Sequence, residues 1–251
     1  MNRNAPVPPT WTTGSTEVFK TGTWRAALPL HVHAPSPCHQ ACPVGGEIAE
    51  WIGHARQRDF HAAWEVLTRH NPFPAIAGRI CHHPCEPACN RAGHDEALSI
   101  CKLERFIGDA AIAQGWTLTP PATERAGHVA VIGAGPAGLS AAYQLRRRGW
   151  RVTVYEASAE PGGLMRHGIP SYRLAREVLD AEIARLVALG VQIRCNEPLA
   201  DATQFARLRA THDAVFVATG AARTKRLPAL DYRLPGVMDG AAYLAASNAG
   251  T

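Results

Sequence analysis

A glycine-rich turn between a short apolar run and a helical segment constrains the fold most. Residues 129–132 form an apolar run that predicts a buried strand, and residues 137–148 have helical apolar spacing until Gly149 ends it. Between them, residues 133–138 follow the pattern G-x-G-x-x-G. The three glycines allow a tight turn, a close approach of the backbone to a pyrophosphate, and close packing of helix on strand. The sequence therefore predicts a dinucleotide-binding turn with phosphates at the helix N-terminus.

An acidic residue follows at the spacing that a dinucleotide site needs. Glu156 lies 23 residues after Gly133, directly after the strand predicted for residues 151–155. A carboxylate at this place can accept hydrogen bonds from ribose hydroxyls. Helices predicted at 175–189 and near 201–209 alternate with strands at 191–194 and 214–218. This alternation predicts a parallel, doubly wound sheet.

The glycine loop alone does not distinguish FAD from NAD. Residues 160–174 form a long segment with the pair Gly162-Gly163 and no helix signal, which leaves backbone amides free to line a flat ring. Residues 217–220 end a strand at the carboxyl edge of the sheet, where doubly wound folds bind ligands. Both features favour a flavin.

Six of the seven cysteines fall between residues 38 and 101. The first residues lack the apolar segment of a secretory signal, so the cytoplasm is the expected compartment. In a reducing compartment such clustering favours a metal centre over disulfides. Two of these cysteines lie in one loop and three in a second loop that contains two prolines, which favours an iron–sulfur cluster. A structural zinc held by four of them is the alternative. The five are Cys38, Cys42, Cys81, Cys85 and Cys89.

Patterning divides the chain into three predicted parts. Residues 1–37 are rich in Pro, Thr and Gly and predict an extended arm. Residues 38–120 predict an α-helical domain with helices at 47–57, 60–70 and 100–114. Residues 127–251 predict a Rossmann-like domain, which follows a linker at 117–127. Lys and Arg total 26 against 21 Asp and Glu, which is no nucleic-acid signature. The apolar stretch 129–145 is too short and too rich in glycine to predict a membrane span.

Together these motifs resemble the glutamate synthase small-subunit family, which includes the N-terminal region of dihydropyrimidine dehydrogenase. The resemblance covers about residues 35–245 and is carried by Cys42-Pro43, segments 78–89 and 99–106, the glycine loop and segment 162–174. It implies an α-helical [4Fe-4S] domain followed by an FAD domain. In the family, NAD(P)H gives a hydride to FAD, and electrons pass singly to iron–sulfur clusters and a partner subunit. No catalytic side chain is expected, because the cofactors carry the chemistry.

The resemblance also implies roles for individual residues. Cys42, Cys81 and Cys85 match the ligands of one cluster, with Glu104 at the position of its fourth ligand. Cys38 and Cys89 match ligands of a second cluster, whose further Cys-x-x-Cys falls here on Leu30 and His33. The sequence leaves open whether one cluster draws on all five cysteines or two form, one of them incomplete. The predicted cofactor-binding residues are Gly133, Ala134, Gly135, Pro136, Ala137, Gly138, Glu156, Gly162, Gly163, Leu164, Arg173, Leu199, Thr219 and Gly220.

The sequence differs from the family in length and is compatible with three candidate functions. No second G-x-G-x-x-G follows Gly220, so the family's NADPH module is not expected within these residues, and we expect a truncated or split chain. The first candidate function is an FAD and iron–sulfur electron-transfer oxidoreductase that uses NADH or NADPH bound elsewhere. The second is a non-catalytic, cluster-bearing docking module. The third is a zinc-stabilised, dinucleotide-dependent enzyme.

Overall fold

A computed structural model describes residues 34–221 and 224–250. Most of the predicted arm, with Leu30 and His33, lies outside these residues. Residues 35–251 form one compact unit in which a helical part precedes a sheet-containing part. Residues 117–127, the predicted linker, contain no helix or strand.

The helical part surrounds the cysteine loops. Within the described residues its helices are α1 (Pro37–Ala41), α2 (Ile48–Arg56), α3 (Phe60–Thr68), α4 (Pro74–Ile80) and α5 (Ile100–Ala113), with a 3-10 turn at Asn90–Gly93. The three predicted helices correspond to α2, α3 and α5. The sequence missed α4, because seven residues with Pro74 in the first turn hold too few apolar positions to show a period. Residues 81–89 form turns, as the prolines predicted.

The second part is a four-stranded parallel sheet with helices. Its elements are β1 (His128–Ile132), α6 (Pro136–Arg147), β2 (Arg151–Tyr155), α7 (Leu164–His167), α8 (Arg176–Ala188), β3 (Gln192–Arg194), α9 (Ala202–Thr211), β4 (Ala214–Val217) and α10 (Gly240–Ala249). The strand order is β3-β2-β1-β4. In register, Val129 lies opposite Val152 of β2 and Ala214 of β4. The predicted fold class, a helical domain followed by a doubly wound parallel sheet, is confirmed.

One prediction about this part is wrong. Residues 160–174 were expected to lack helix, but α7 lies within them. A single turn of four residues closes on local hydrogen bonds, such as the 2.9 Å bond from His167 N–H to the Gly163 carbonyl. So short a turn has no hydrophobic period that could predict it.

One continuous hydrophobic core connects the two parts. It includes the buried side chains of Trp51, Trp64 and Ile76 from the helices and of Leu139 and Leu179 from α6 and α8. None of the helices in the described residues is both long enough and apolar enough to cross a membrane.

Candidate dinucleotide and iron–sulfur sites

The glycine loop between β1 and α6 has the geometry that its sequence predicts. Gly133 has φ +102°, a conformation that L side chains rarely adopt, and a Cβ there would collide with the Ala218 carbonyl oxygen. A Cβ at Gly138 would collide with the Gly133 carbonyl. Gly135 is the N-cap of α6 and no side chain caps this helix. Pro136 has no N–H, so the N–H groups of Ala137 and Gly138 are the ones in the first turn of α6 that are free to receive an anion.

Glu156 lies against this loop. Its Oε2 accepts a 2.6 Å hydrogen bond from the Ala134 N–H, and its Oε1 accepts a 2.8 Å bond from the Ser158 N–H. The residue is only 9% exposed. These bonds fix the carboxylate at the end of β2, beside the turn that would hold the phosphates.

The second glycine pair packs directly on the first loop. The Gly162 N–H donates to the Ala134 carbonyl at 2.8 Å. Gly163 has φ +52°, and a Cβ there would lie 2.7 Å from the Gly135 Cα. The close approach of the two loops therefore requires glycine at position 163, whereas a Cβ at Gly135 would lie 3.9 Å from the Gly163 Cα, an ordinary contact.

The remaining predicted residues in this half differ in position. The Thr219 Cα lies beside Gly133, and Leu164 is 61% exposed on α7 immediately after Gly163. Among the contacts of the described residues, none joins Arg173, Leu199 or Gly220 to the glycine loop. Pro136 and Ala137 form the first turn of α6.

Sequence reasoning missed Arg166, which supports the second loop. This buried residue donates through Nε to the Pro161 carbonyl at 2.7 Å, and its Nη2 pairs with Asp180 of α8. The guanidinium thus ties the segment before Gly162 to α8. No local pattern signals this role, because Asp180 lies 14 positions further along the chain.

In the helical part, three cysteines from two loops share one neighbourhood. Cys85 is 7% exposed and belongs to the core, and Cys42 packs against that core. Burial first, and then the nearby thiols of Cys42 and Cys81, raise the pKa of the Cys85 thiol to about 12. A thiolate at Cys85 is thus unfavourable unless a neighbouring cation stabilises it, as a bound metal stabilises its thiolate ligands.

The other two candidate cysteines, Cys38 and Cys89, are half-buried, as Cys42 and Cys81 are. The Cys38 Sγ is 3.2 Å from the Ser36 Oγ. Backbone N–H groups, first that of Leu98 and then those of Arg91 and Ala92, lower the pKa of Cys89. Cys89 therefore lies among N–H donors of the kind that stabilise a thiolate.

Glu104 is only partly exposed on α5. Its Oε1 accepts a 2.9 Å hydrogen bond from Asn71. Burial first, and then the charge of Glu182, raise the pKa of Glu104 to about 7. The charge of Glu104 acts on the Cys101 thiol. Sequence reasoning missed Asn71, because the two residues are 33 positions apart.

The donor set suits a cluster better than a single ion. In the part of the chain that the structure describes, no three His, Cys, Asp or Glu side chains converge closely enough to hold one metal ion. A cubane of iron and sulfide is larger than one ion and keeps its thiolates further apart. His83, in the same loop, donates its backbone N–H to the Cys81 Sγ at 3.3 Å, and its buried Nδ1 has no hydrogen-bond partner. Clustered thiols, an N–H donor to sulfur and an orphaned polar atom fit a cluster that the residues would enclose.

Two protein families match the two parts of the chain. Residues 31–116 match the family described as dihydropyrimidine dehydrogenase domain II, 4Fe-4S cluster. Residues 131–183 match the NAD(P)-binding Rossmann-like domain. A cluster-binding domain and a dinucleotide-binding domain are thus both present.

Curated relatives align with most of the chain. It is 39% identical over 199 residues to the NAD-dependent dihydropyrimidine dehydrogenase subunit PreT of Escherichia coli, covering 78% of this chain and 48% of the relative. It is 37% identical over 212 residues to the glutamate synthase [NADPH] small chain of Mycobacterium tuberculosis, covering 84% and 43%. It is 35% identical over 227 residues to the NADP(+)-dependent formate dehydrogenase subunit beta of Moorella thermoacetica, covering 80% and 32%. The chain spans about half or less of the length of these relatives, and the predicted family resemblance is confirmed.

Proposed function

From its kinship with the glutamate synthase small-subunit family, we propose that this chain is an electron-transfer oxidoreductase module. It binds a [4Fe-4S] cluster in the helical domain, residues 38–120, and FAD in the Rossmann-like domain, residues 127–251. When bound, the flavin accepts a hydride and the cluster carries single electrons. The side chains bind, orient and insulate these groups, and none acts as an acid or base.

The proximity of three thiols carries this proposal. Cys42 comes from one loop and Cys81 and Cys85 come from a second, and the three are near enough for their charges to interact. Glu104 on α5 is the proposed fourth ligand. The buried surroundings exclude water from Cys85 and favour a cluster of low net charge. Cys38 and Cys89 are the proposed ligands of any second cluster.

The proposal also specifies FAD as the dinucleotide that the Rossmann-like domain binds. The glycine loop and α6 would hold the pyrophosphate, and Glu156 would accept hydrogen bonds from the adenosine ribose. The exposed Leu164 and the amides around Gly163 would contact the flavin ring. Direct binding of NAD(P) at the same loop is the competing possibility, since the matching family is described as NAD(P)-binding.

Electron donor and acceptor are proposed from the relatives. The names of all three include a nicotinamide dinucleotide (NAD, NADP(+) or NADPH), and PreT and the formate dehydrogenase beta chain are named as subunits. We therefore expect NADH or NADPH as the source of electrons and a partner oxidoreductase subunit in the transfer. All seven cysteines are free thiols, which suits the reducing cytoplasm.

The test compares two cysteine substitutions in anaerobically purified protein. We expect the wild type to contain iron and acid-labile sulfide in equal amounts, with a flavin spectrum. Cys85→Ser should lose iron and sulfide, whereas the matched control Cys195→Ser, at a free thiol following β3, should retain both.

Other compositions separate the alternatives. Zinc without sulfide would contradict the cluster and favour the zinc-stabilised enzyme. A cluster without flavin, together with saturable NAD(P) binding, would contradict the FAD assignment. A cluster with no bound dinucleotide of either kind would favour the docking module.

A further inference from the structure

Glu182 is a buried acid that joins the two parts of the chain. It lies in α8 of the sheet-containing part, and its side chain is fully buried. Its Oε1 accepts a 2.8 Å hydrogen bond from the backbone N–H of Ala75 in α4, 107 positions earlier. Acidic side chains are almost never fully buried unless they are paired.

The N-terminus of α4 lacks an acceptor of its own. Phe73 is the N-cap residue and its side chain has no capping oxygen, while Pro74 occupies the first turn. First-turn N–H groups have no partner within a helix, and the positive end of the helix dipole favours an anion. Glu182 provides the acceptor for Ala75 from a different part of the fold.

Helix α4 connects this contact to a candidate cluster ligand. The helix ends at Ile80, and Cys81 is its C-cap, six residues or about 9 Å along the axis from Ala75. Arg79 anchors α4 to α5 through hydrogen bonds of 2.7 and 3.0 Å to Asp109. Because α4 is short and held along its side, a displacement of its N-terminus moves Cys81 with it.

The second carboxylate oxygen is also held. The Arg185 Nη1 donates to the Glu182 Oε2 at 2.8 Å, and its guanidinium lies over the Trp64 ring, 5.4 Å from the centroid. Glu182 is also near enough to Glu104 for their charges to interact. The position of the carboxylate is therefore determined by both parts of the chain.

Building on the proposed function, we propose that Glu182 is a positioning residue that fixes Cys81, through α4, relative to the dinucleotide-binding part. It contacts neither cofactor in this role. What matters is the reach of its acceptor oxygen to Ala75, and the charge of the carboxylate is secondary.

Two conservative substitutions separate reach from charge. Glu182→Gln keeps an oxygen at the same reach and removes the charge. Glu182→Asp keeps the charge and shortens the side chain by one methylene. Tyr143→Phe is the matched control, because the Tyr143 hydroxyl donates a 2.5 Å hydrogen bond to the Thr68 carbonyl between the same two parts. Thr68 is the last residue of α3, a helix without cysteine.

The measurements are the EPR spectrum of the reduced cluster and the rate of iron release to a chelator, made on the anaerobic 251-residue chain. Substitution of a residue that supports a metal ligand typically lowers metal affinity 10- to 100-fold. We expect Glu182→Asp to release iron about tenfold faster than the wild type and to show an altered EPR signal. Glu182→Gln and Tyr143→Phe should resemble the wild type.

Each outcome decides the proposal. The proposal is overturned if Glu182→Asp changes iron release and the EPR signal no more than Glu182→Gln and Tyr143→Phe do. It is also overturned if Glu182→Asp loses the wild-type circular dichroism spectrum, because Glu182 would then have a purely structural role. A wild-type chain without iron and sulfide refutes the proposed function, and the role of Glu182 with it. A wild-type cluster combined with an unaffected Asp variant refutes the role of Glu182 alone.

Discussion

The contact of α4 with α5 predicts opposite effects of one substitution at two helical glycines. At Gly108 in α5, a Cβ would lie 2.6 Å from the Ala75 Cα and 2.8 Å from the Pro74 carbonyl carbon. At Gly53 in α2, nothing lies within 4 Å of a Cβ. Gly108→Ala must therefore separate two backbones that cannot rotate away, whereas Gly53→Ala meets no obstacle.

The magnitudes follow from these distances. Ordinary contacts of a Cβ begin at 3.4 Å, so the contact with the Ala75 Cα at 2.6 Å alone requires α4 to move by at least 0.8 Å, and the Ala75 backbone nitrogen lies closer still. Overpacking of this kind costs about 1–3 kcal/mol, while alanine gains roughly 1 kcal/mol over glycine in a helix. We expect Gly108→Ala to lower the free energy of unfolding by up to about 2 kcal/mol. Gly53→Ala should raise it by about 0.5–1 kcal/mol.

Thermal unfolding of the anaerobic chain, followed by circular dichroism at equal iron content, measures both effects. In a chain of this size 1 kcal/mol corresponds to about 2–4 °C in Tm. We expect Gly108→Ala to lower Tm by up to about 8 °C and Gly53→Ala to raise it by about 1–4 °C. Changes of the same sign at both positions would refute the reasoning, because helix propensity would then outweigh the contact with α4.

Two further predictions concern the dinucleotide loop and the buried acid. Gly135→Val should fill the space beside the Gly163 loop and abolish flavin retention, while the iron content stays unchanged. Flavin and iron are measured on the same sample. Retained flavin would contradict the placement of the pyrophosphate. Burial raises the pKa of Glu182 from 4.5 to about 7 in the folded chain despite its ion pair with Arg185. Its contribution to stability is therefore complete below about pH 4.5 and is lost as the pH rises through about 7, by at most about 3 kcal/mol. The Tm of the wild type relative to Glu182→Gln should fall over this pH range, and a constant difference would contradict the raised pKa.

Local patterns in the sequence were sufficient to predict the secondary structure around the dinucleotide loop. The strand, the glycine turn and the helix each depend on neighbouring residues, because periodicity and turn chemistry act over a few positions. The position of Glu156 follows from the same pattern, since this residue comes directly after the next strand, β2. Helices α4 and α7 escaped prediction, because seven and four residues contain too few apolar positions to show a helical period.

The sequence by itself also determined the kind of chemistry, since thiols between prolines and a phosphate-binding turn have few other uses. Only the tertiary structure decided which distant residues meet. Asn71 binds Glu104 across 33 positions, and Glu182 reaches the first turn of α4 across 107. Such pairs leave no local signal in the sequence. The packing of two elements decides which side chain reaches the end of a helix, and the neighbours of that side chain in the chain do not. The physical reason is that one core spans both parts, so that the orientation of the cysteine loops depends on helices that lie far along the sequence.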